Sequence, residues 1–339
     1  MAQGIEGPAP EINTSKGSQI VILVTGANGF VGHRLCVTLS HLGEAVVAAT
    51  RHILPDIVPN ISNIQVHSLS ADTDWHRCLQ GCNAVVHLAA RVHVMIDKTT
   101  DPLTEFRRVN VGGTLNLARQ AAAAGVSRFI YISSIKVHGE STPLDRAFTA
   151  DDIPDPQDPY SISKHEAECG LRRLAAETGM ELVIIRPPLV YGPGVRANFL
   201  NMMRWLYRGI PLPLGAVHNK RSLLALDNLV DLIIACIAHP AAANQTFLAA
   251  DGEDLSATEL LRRMGLALGR PARLLPVPTS LLEAAGTLFG RRDMALRLWG
   301  SLRVDISKTR ELLGWNPPIS VDEGLLRTAQ GFVNKLSSS

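Results

Sequence analysis

Thr25-Gly26-Ala27-Asn28-Gly29-Phe30-Val31-Gly32 stands between a run of branched apolar residues, 20–24, and a helical pattern over 31–42. The unbroken apolar run predicts a strand buried on both faces, and the pattern after the glycines predicts a helix. Glycines at 26, 29 and 32 suit the turn between them. They allow a tight bend, close approach of backbone to a pyrophosphate, and close helix–strand packing. The helix start then offers free N–H groups and the positive end of its dipole to phosphate. Asn28, Phe30 and Val31 belong to the same turn and join the glycines as candidate dinucleotide contacts. A glycine triplet alone marks many turns; the strand before it and the helix after it make this one a phosphate loop.

Outward from the loop, short apolar runs alternate with longer helical patterns. Strands are expected at 45–50, 64–69, 84–88, 129–132 and 182–185, and helices at 103–124 and 160–178. Each crossover must pass over a face of the sheet, so the fold class is α/β, a Rossmann doubly wound parallel sheet. After Pro187 the pattern loosens, with Pro and Gly at 187–188, 192–194 and 211–215. A smaller, mostly helical portion packed against the sheet is expected there. The predicted organisation is a flexible arm over 1–19, a dinucleotide-binding domain over 20–187, a substrate-binding portion over 188–332, and a tail over 333–339.

Of the 339 residues, 46% are hydrophobic and 19% charged, which excludes a disordered chain. The net charge is +2 with no Lys/Arg block, so no nucleic-acid partner is expected. Five scattered cysteines lack zinc spacing and predict reduced thiols and no metal. The most apolar stretch, 223–239, carries Asp227 and Asp231, costly inside a bilayer. The first nineteen residues lack the pattern of a signal peptide. A cytoplasmic protein without membrane insertion is the expectation.

Tyr160 and Lys164 stand at i and i+4 of a predicted helix, pointing the same way one turn apart. A phenol titrates near about 10. A cation beside it favours the phenolate, which would make Tyr160 a usable general acid or base. Asp158-Pro159 supplies the helix start. The second strand ends Ala49-Thr50-Arg51-His52, with no carboxylate before Asp56 to accept from ribose hydroxyls. Arg51 suits a 2′-phosphate, which favours NADP (NADPH) over NAD; the competing reading is an exposed charge near the adenine.

The string T-G-A-N-G-F-V-G, together with Tyr160 and Lys164, resembles the extended branch of the short-chain dehydrogenase/reductase superfamily, which acts largely on nucleotide sugars. The resemblance implies further roles. Asp72 would contact the adenine, and Leu88, Ala89 and Ala90 would wall the cofactor. In Tyr131-Ile132-Ser133-Ser134-Ile135-Lys136-Val137-His138-Gly139, Ser134 falls on the catalytic hydroxyl and Ser133 on its supporting neighbour. Asn110 would support the cofactor end of the site, or simply bond helix to helix. Lys164 would also hold the ribose. Dehydratases of the family carry Asp-Glu where this chain has Ile135 and Lys136, so elimination of water lacks its acid and base.

On the substrate side, Arg186-Pro187-Pro188-Leu189-Val190-Tyr191-Gly192-Pro193 resembles the segment joining the two parts. Asn198 and Phe199 resemble residues beside a substrate diphosphate, and Leu214 lies in a loop like that beside the uracil. Arg221 would pair with the diphosphate through its planar fork. The segment from Asp305 to Pro317 matches as packing. The nearest type is the UDP-4-keto-6-deoxy-N-acetylhexosamine 4-reductase, which implies NADPH-dependent reduction of a C4 ketone with Tyr160 as proton donor. A UDP-sugar 4-epimerase with retained NAD is the alternative, and a non-catalytic dinucleotide-binding scaffold is a second one. A third is reduction of a steroid or flavonoid ketone. A homodimer through the long helices is implied by resemblance alone.

Overall fold

The computed structural model describes residues 20–52, 59–92, 101–278, 280–281 and 300–337. The expected arm over 1–19, and Asp56, lie outside the described residues. The first six strands are β1 (Val21–Thr25), β2 (Ala45–Thr50), β3 (Ile61–Gln65), β4 (Ala84–His87), β5 (Arg128–Ile132) and β6 (Glu181–Arg186). Four more come after them: β7 (Leu189–Tyr191), β8 (Arg221–Ala225), β9 (Thr246–Leu248) and β10 (Asp254–Leu255). Seven of them form one sheet in the order β3-β2-β1-β4-β5-β6-β9, every pair parallel. The order reverses between β1 and β4, which opens a crevice at their carboxyl ends.

Helix α1 (Phe30–His41) leads from β1 to β2, and α2 (His76–Leu79) precedes β4. β3 ends at Gln65, short of the expected 64–69 span. Its partner β2 stops at Thr50, which accepts a last bond from Val66 N at 2.8 Å. The expected helix over 103–124 is three segments in sequence: α3 (Pro102–Phe106), a π-helical stretch Arg107–Gly113, and α4 (Thr114–Ala123). Gly113 sits hard against Leu69, where a Cβ would come within 2.7 Å of the side chain. Helix α5 (Pro159–Thr178) opens with Asp158 and Ser161 in a capping box and closes on Gly179 at φ +76°. Ladder and caps together leave few free backbone groups at its ends.

Two cores cover the faces of the sheet. Leu35 and Leu39 of α1 pack on Val24 and Val86 on one side. Leu117 and Ala121 of α4 and Leu171 of α5 pack on Phe129 and Tyr131 on the other. Each buried leucine contributes about 1.5–3 kcal/mol.

Among the described residues beyond Arg186 come α6 (Ala197–Tyr207), α7 (Leu226–Ala238), α8 (Ala257–Ala267) and two further helices, Ser307–Leu313 and Val321–Ser337. β10, β8 and β7 form a small second sheet, with β7 and β8 parallel and β10 antiparallel. The lobes are interleaved. β9 pairs with β6, α7 packs against the first core, and Arg128 of β5 donates to the carbonyls of Cys236, Ile237 and His239 at the end of α7. The segment expected as a tail from 333 continues the last helix to Ser337.

Candidate active site

The phosphate loop has the shape its glycines allow. Gly26 has φ +67°, and a Cβ there would meet Ala89 N at 3.0 Å. A Cβ on Gly32 would stand 2.2 Å from the carbonyl oxygen of Gly26. Asn28 and Gly29 are exposed at the crevice, and Phe30 and Val31 are half-buried in the first turn of α1. Leu88, Ala89 and Ala90 come after β4 on the opposite wall, half-buried. This narrow, backbone-lined cradle at a helix start fits a dinucleotide pyrophosphate.

Beneath the loop lies a polar brace that the sequence reading missed. The Thr25 hydroxyl accepts from Leu88 N and Ala89 N, each at 3.2 Å, and lies 2.7 Å from His87 Nδ1. Its own proton therefore goes to Nδ1, which leaves Nε2 to donate to the Thr114 hydroxyl at 2.9 Å. Burial, helped by the charge of Lys164, pushes the His87 ring down to about 3, so it is held neutral. A histidine in an apolar strand was the available signal.

Asn110, buried in the π-helical stretch, accepts from Arg91 N at 2.8 Å. It donates to Arg91 O at 3.1 Å and to Ser163 Oγ at 3.0 Å. It thus bonds helix to helix and also holds the loop after β4. π-turns of this kind recur at functional sites. Arg51 is exposed at the end of β2, and Asp72 is exposed after β3.

At the end of β5, Ser133 is buried and Ser134 half-buried, the latter capping a short turn, Ile135–Val137. Tyr160 is half-buried in the first turn of α5, and Lys164 is buried one turn later. Lys164 Nζ donates to Ile132 O at 2.8 Å and stands 4.6 Å over the Tyr131 ring. Lys164 thereby ties α5 to the end of β5.

The electrostatics correct one expectation. Tyr160 is not lowered by Lys164: burial, with the charge of Asp158, pushes its phenol up to about 12. Burial pushes Lys164 down to about 7, with Glu168 pulling the other way. Lys164 Nζ is spent on a carbonyl and lies 5.9 Å from the centre of the Tyr160 ring, so desolvation outweighs its attraction.

Two charged groups support the helix start. Lys136 Nζ reaches Asp158 at 2.5 Å and Glu140 at 2.9 Å. The residue standing where dehydratases keep a carboxylate is therefore held in ion pairs. Arg186 forms a buried two-pronged pair with Glu168, one turn beyond Lys164, and lies 2.7 Å from His138 Nε2.

Of the expected substrate residues, Ser134 and Tyr160 lie in the first lobe, after β5 and in α5, and Asn198, Phe199, Leu214 and Arg221 lie in the second. Asn198 is exposed in the first turn of α6, Leu214 is half-buried before β8, and Arg221 opens β8 and donates to Gly300 O at 2.9 Å. Phe199 follows Asn198 in α6; its ring is buried and stacks on Tyr191 at 5.7 Å, so its side chain belongs to the core. Among the described residues, no group of three His, Cys, Asp or Glu is placed to hold a metal, and no helix is long and apolar enough to cross a membrane.

The chain is similar to proteins of known type. The UDP-glucose 4-epimerase of Vibrio cholerae is 49% identical over 314 residues, covering 92% of this chain and 95% of its own. A second relative, the N-acetyl-alpha-D-glucosaminyl-diphospho-ditrans,octacis-undecaprenol 4-epimerase of Escherichia coli O157:H7, is 27% identical over 91% of this chain and 94% of its own. Among solved structures, MoeE5 in complex with UDP-glucuronic acid and NAD superposes with a TM-score of 0.74. It is 26% identical and covers 93% of this chain and 99% of its own. Residues 22–250 match the NAD dependent epimerase/dehydratase family, and the chain belongs to that family.

Proposed function

We propose that the protein is a UDP-sugar 4-epimerase that works with NAD. The observation carrying this is the 49% identity to a UDP-glucose 4-epimerase over 92% of the chain. UDP-glucose or UDP-N-acetylglucosamine would be the substrate. Gly26, Gly29, Gly32 and the wall Leu88–Ala90 would hold the dinucleotide, with Asp72 and Arg51 at its adenosine end. When bound, that group supplies hydride acceptance and return at C4.

This chain's own residues would move the proton. Tyr160 would take the proton from O4 and later return it, and Ser134 would donate to the same oxygen while charge develops there. Lys164 would hold a ribose hydroxyl, and its ammonium charge, 5.9 Å from the ring centre, would offset only part of the burial that pushes the Tyr160 phenol up. Asn198, Leu214 and Arg221 would bind the UDP portion, the arginine through its fork. Pairing of two copies through the long helices belongs to the same reading.

A second reading has one observation behind it. β2 is followed at once by Arg51 with no adjacent carboxylate, which favours a 2′-phosphate and hence an NADPH-dependent 4-ketoreductase. The identity over 92% of the chain outweighs a single side chain, so the epimerase is preferred.

One pair of assays separates them. The purified protein is given UDP-glucose, then UDP-N-acetylglucosamine, and C4 inversion is monitored by proton NMR. Inversion without net cofactor consumption supports the epimerase. Stoichiometric NADPH oxidation with UDP-4-keto-6-deoxy-N-acetylglucosamine, and no inversion, would replace it with the reductase.

A further inference from the structure

Two stretches of the second lobe, 188–226 and 260–282, carry nine Lys and Arg and not one Asp or Glu. The whole chain is close to balanced, with 33 cations and 31 carboxylates, so this is a local excess. The fold brings the two stretches together. Leu212 bridges Leu274, Leu212 N donates to Arg273 O at 2.9 Å, and Leu275 N donates to Leu212 O at 2.9 Å. Arg270 lies 5.5 Å over the Tyr207 ring, which ties the end of α8 to the end of α6.

The joined surface mixes cations with projecting apolar side chains. Trp205 is 48% exposed, Ile210 40% and Leu275 52%. Arg204, Arg208 and Arg273 stand exposed among them. None of these three has an ion-pair partner among the described residues; Arg204 has only a long bond to Asn201 at 3.4 Å. Arg263 of α8 shows the contrast, since Glu253 and Asp322 hold it.

From this face we infer that the protein docks peripherally on an anionic lipid surface. Guanidinium groups would meet the head groups while an indole and aliphatic tips settle at the interface. The other occupants fit less well. A second copy would bring the same cations against themselves. A nucleic acid offers phosphate but stacks on aromatic faces, and among the described residues of this face Trp205 alone is an exposed aromatic, the Tyr207 ring being half-buried under Arg270. An acidic protein would satisfy the arginines and leave Ile210 and Leu275 without a matching groove. The inference does not rest on the proposed reaction.

Flotation of the full-length protein with vesicles tests it. Vesicles of phosphatidylcholine alone are compared with equal parts phosphatidylcholine and phosphatidylglycerol, at low and high salt. Binding is expected to the anionic vesicles only and to weaken with salt. Reversal of the cations in R204E/R208E/R273E should weaken it about tenfold or more, and Trp205→Ser several-fold. Both variants should keep the wild-type melting temperature and the wild-type turnover of a soluble nucleotide sugar. Equal binding to both vesicle types, or binding unchanged in the charge-reversed variant, would overturn the proposal. So would self-association in light scattering that Trp205→Ser abolishes, because that assigns the face to a second copy.

Discussion

The hydroxyl of Thr25 lies 2.7 Å from Nδ1 of His87, and that contact couples the end of β1 to the end of β4 directly under the phosphate loop. Through Thr25 the loop after β4 is held by two further N–H bonds, and through His87 the brace reaches Thr114 on the long helix. Thr25→Val keeps the shape and strands three polar groups in the interior. It should cost about 1–3 kcal/mol in urea unfolding and weaken NAD binding, whereas Thr25→Ser should restore both. Equal behaviour of the valine and serine variants would remove the brace from the account of cofactor binding.

Acid should destabilise the fold through two histidines. Burial holds His87 at about 3 and His138 at about 4, both below the ordinary 6.5. Between these values and 6.5 the unfolded chain binds more protons than the folded one, so stability rises with pH across that window. Above 6.5 the contribution is complete. It is lost as pH falls towards the folded values, by up to about 1.4 kcal/mol per pH unit for each ring. Chemical unfolding at pH steps from neutral downward measures the slope, and His138→Gln should flatten it above pH 4.

Removal of the phenol is the sharpest test of the proposed chemistry. Tyr160→Phe should lower turnover about 10²–10⁴-fold, and Ser134→Ala should lower it by less, while NAD titrations and melting stay near wild type. Retained turnover in Tyr160→Phe would dismiss Tyr160 as the proton carrier.

The Arg186–Glu168 pair is buried on both sides, at 4% and 1% side-chain exposure, so neither charge can turn to water. Glu168→Ala leaves the guanidinium uncompensated and should cost about 3–5 kcal/mol by urea unfolding. The double change Arg186→Met with Glu168→Leu should cost less than either single one, because both desolvated charges are gone.

Much of this was legible in the residues. The strand–loop–helix reading around Gly26, Gly29 and Gly32 and the helix start at Asp158-Pro159 rest on local chemistry, namely backbone freedom and capping. The seven-stranded parallel sheet comes from buried runs alternating with helices. What escaped depends on contacts distant in sequence. The end of β3 is set by where β2 stops, and no local pattern marks that. β9 is only three residues long and gains its place by pairing with β6. The π-helical stretch has a helical composition, and its register is decided by packing against Leu69 and Ser163. Phe199 matched a motif position, but its ring had to choose between a ligand and the Tyr191 stack. The upward push on Tyr160 comes from burial, which spacing does not report.

Asp227 joins three parts of the chain. Its two oxygens take Arg34 on α1 at 2.9 Å and Arg327 on the last helix at 2.7 Å. α1 begins at the phosphate loop, so the far end of the polypeptide is tied by one carboxylate to the element that carries the nucleotide turn. Anyone exchanging second lobes between family members to alter sugar preference would have to transplant these three residues as a set. A chimera that inherits Asp227 from one parent and Arg34 or Arg327 from an unmatched other would show its fault as poor dinucleotide retention, far from the graft itself.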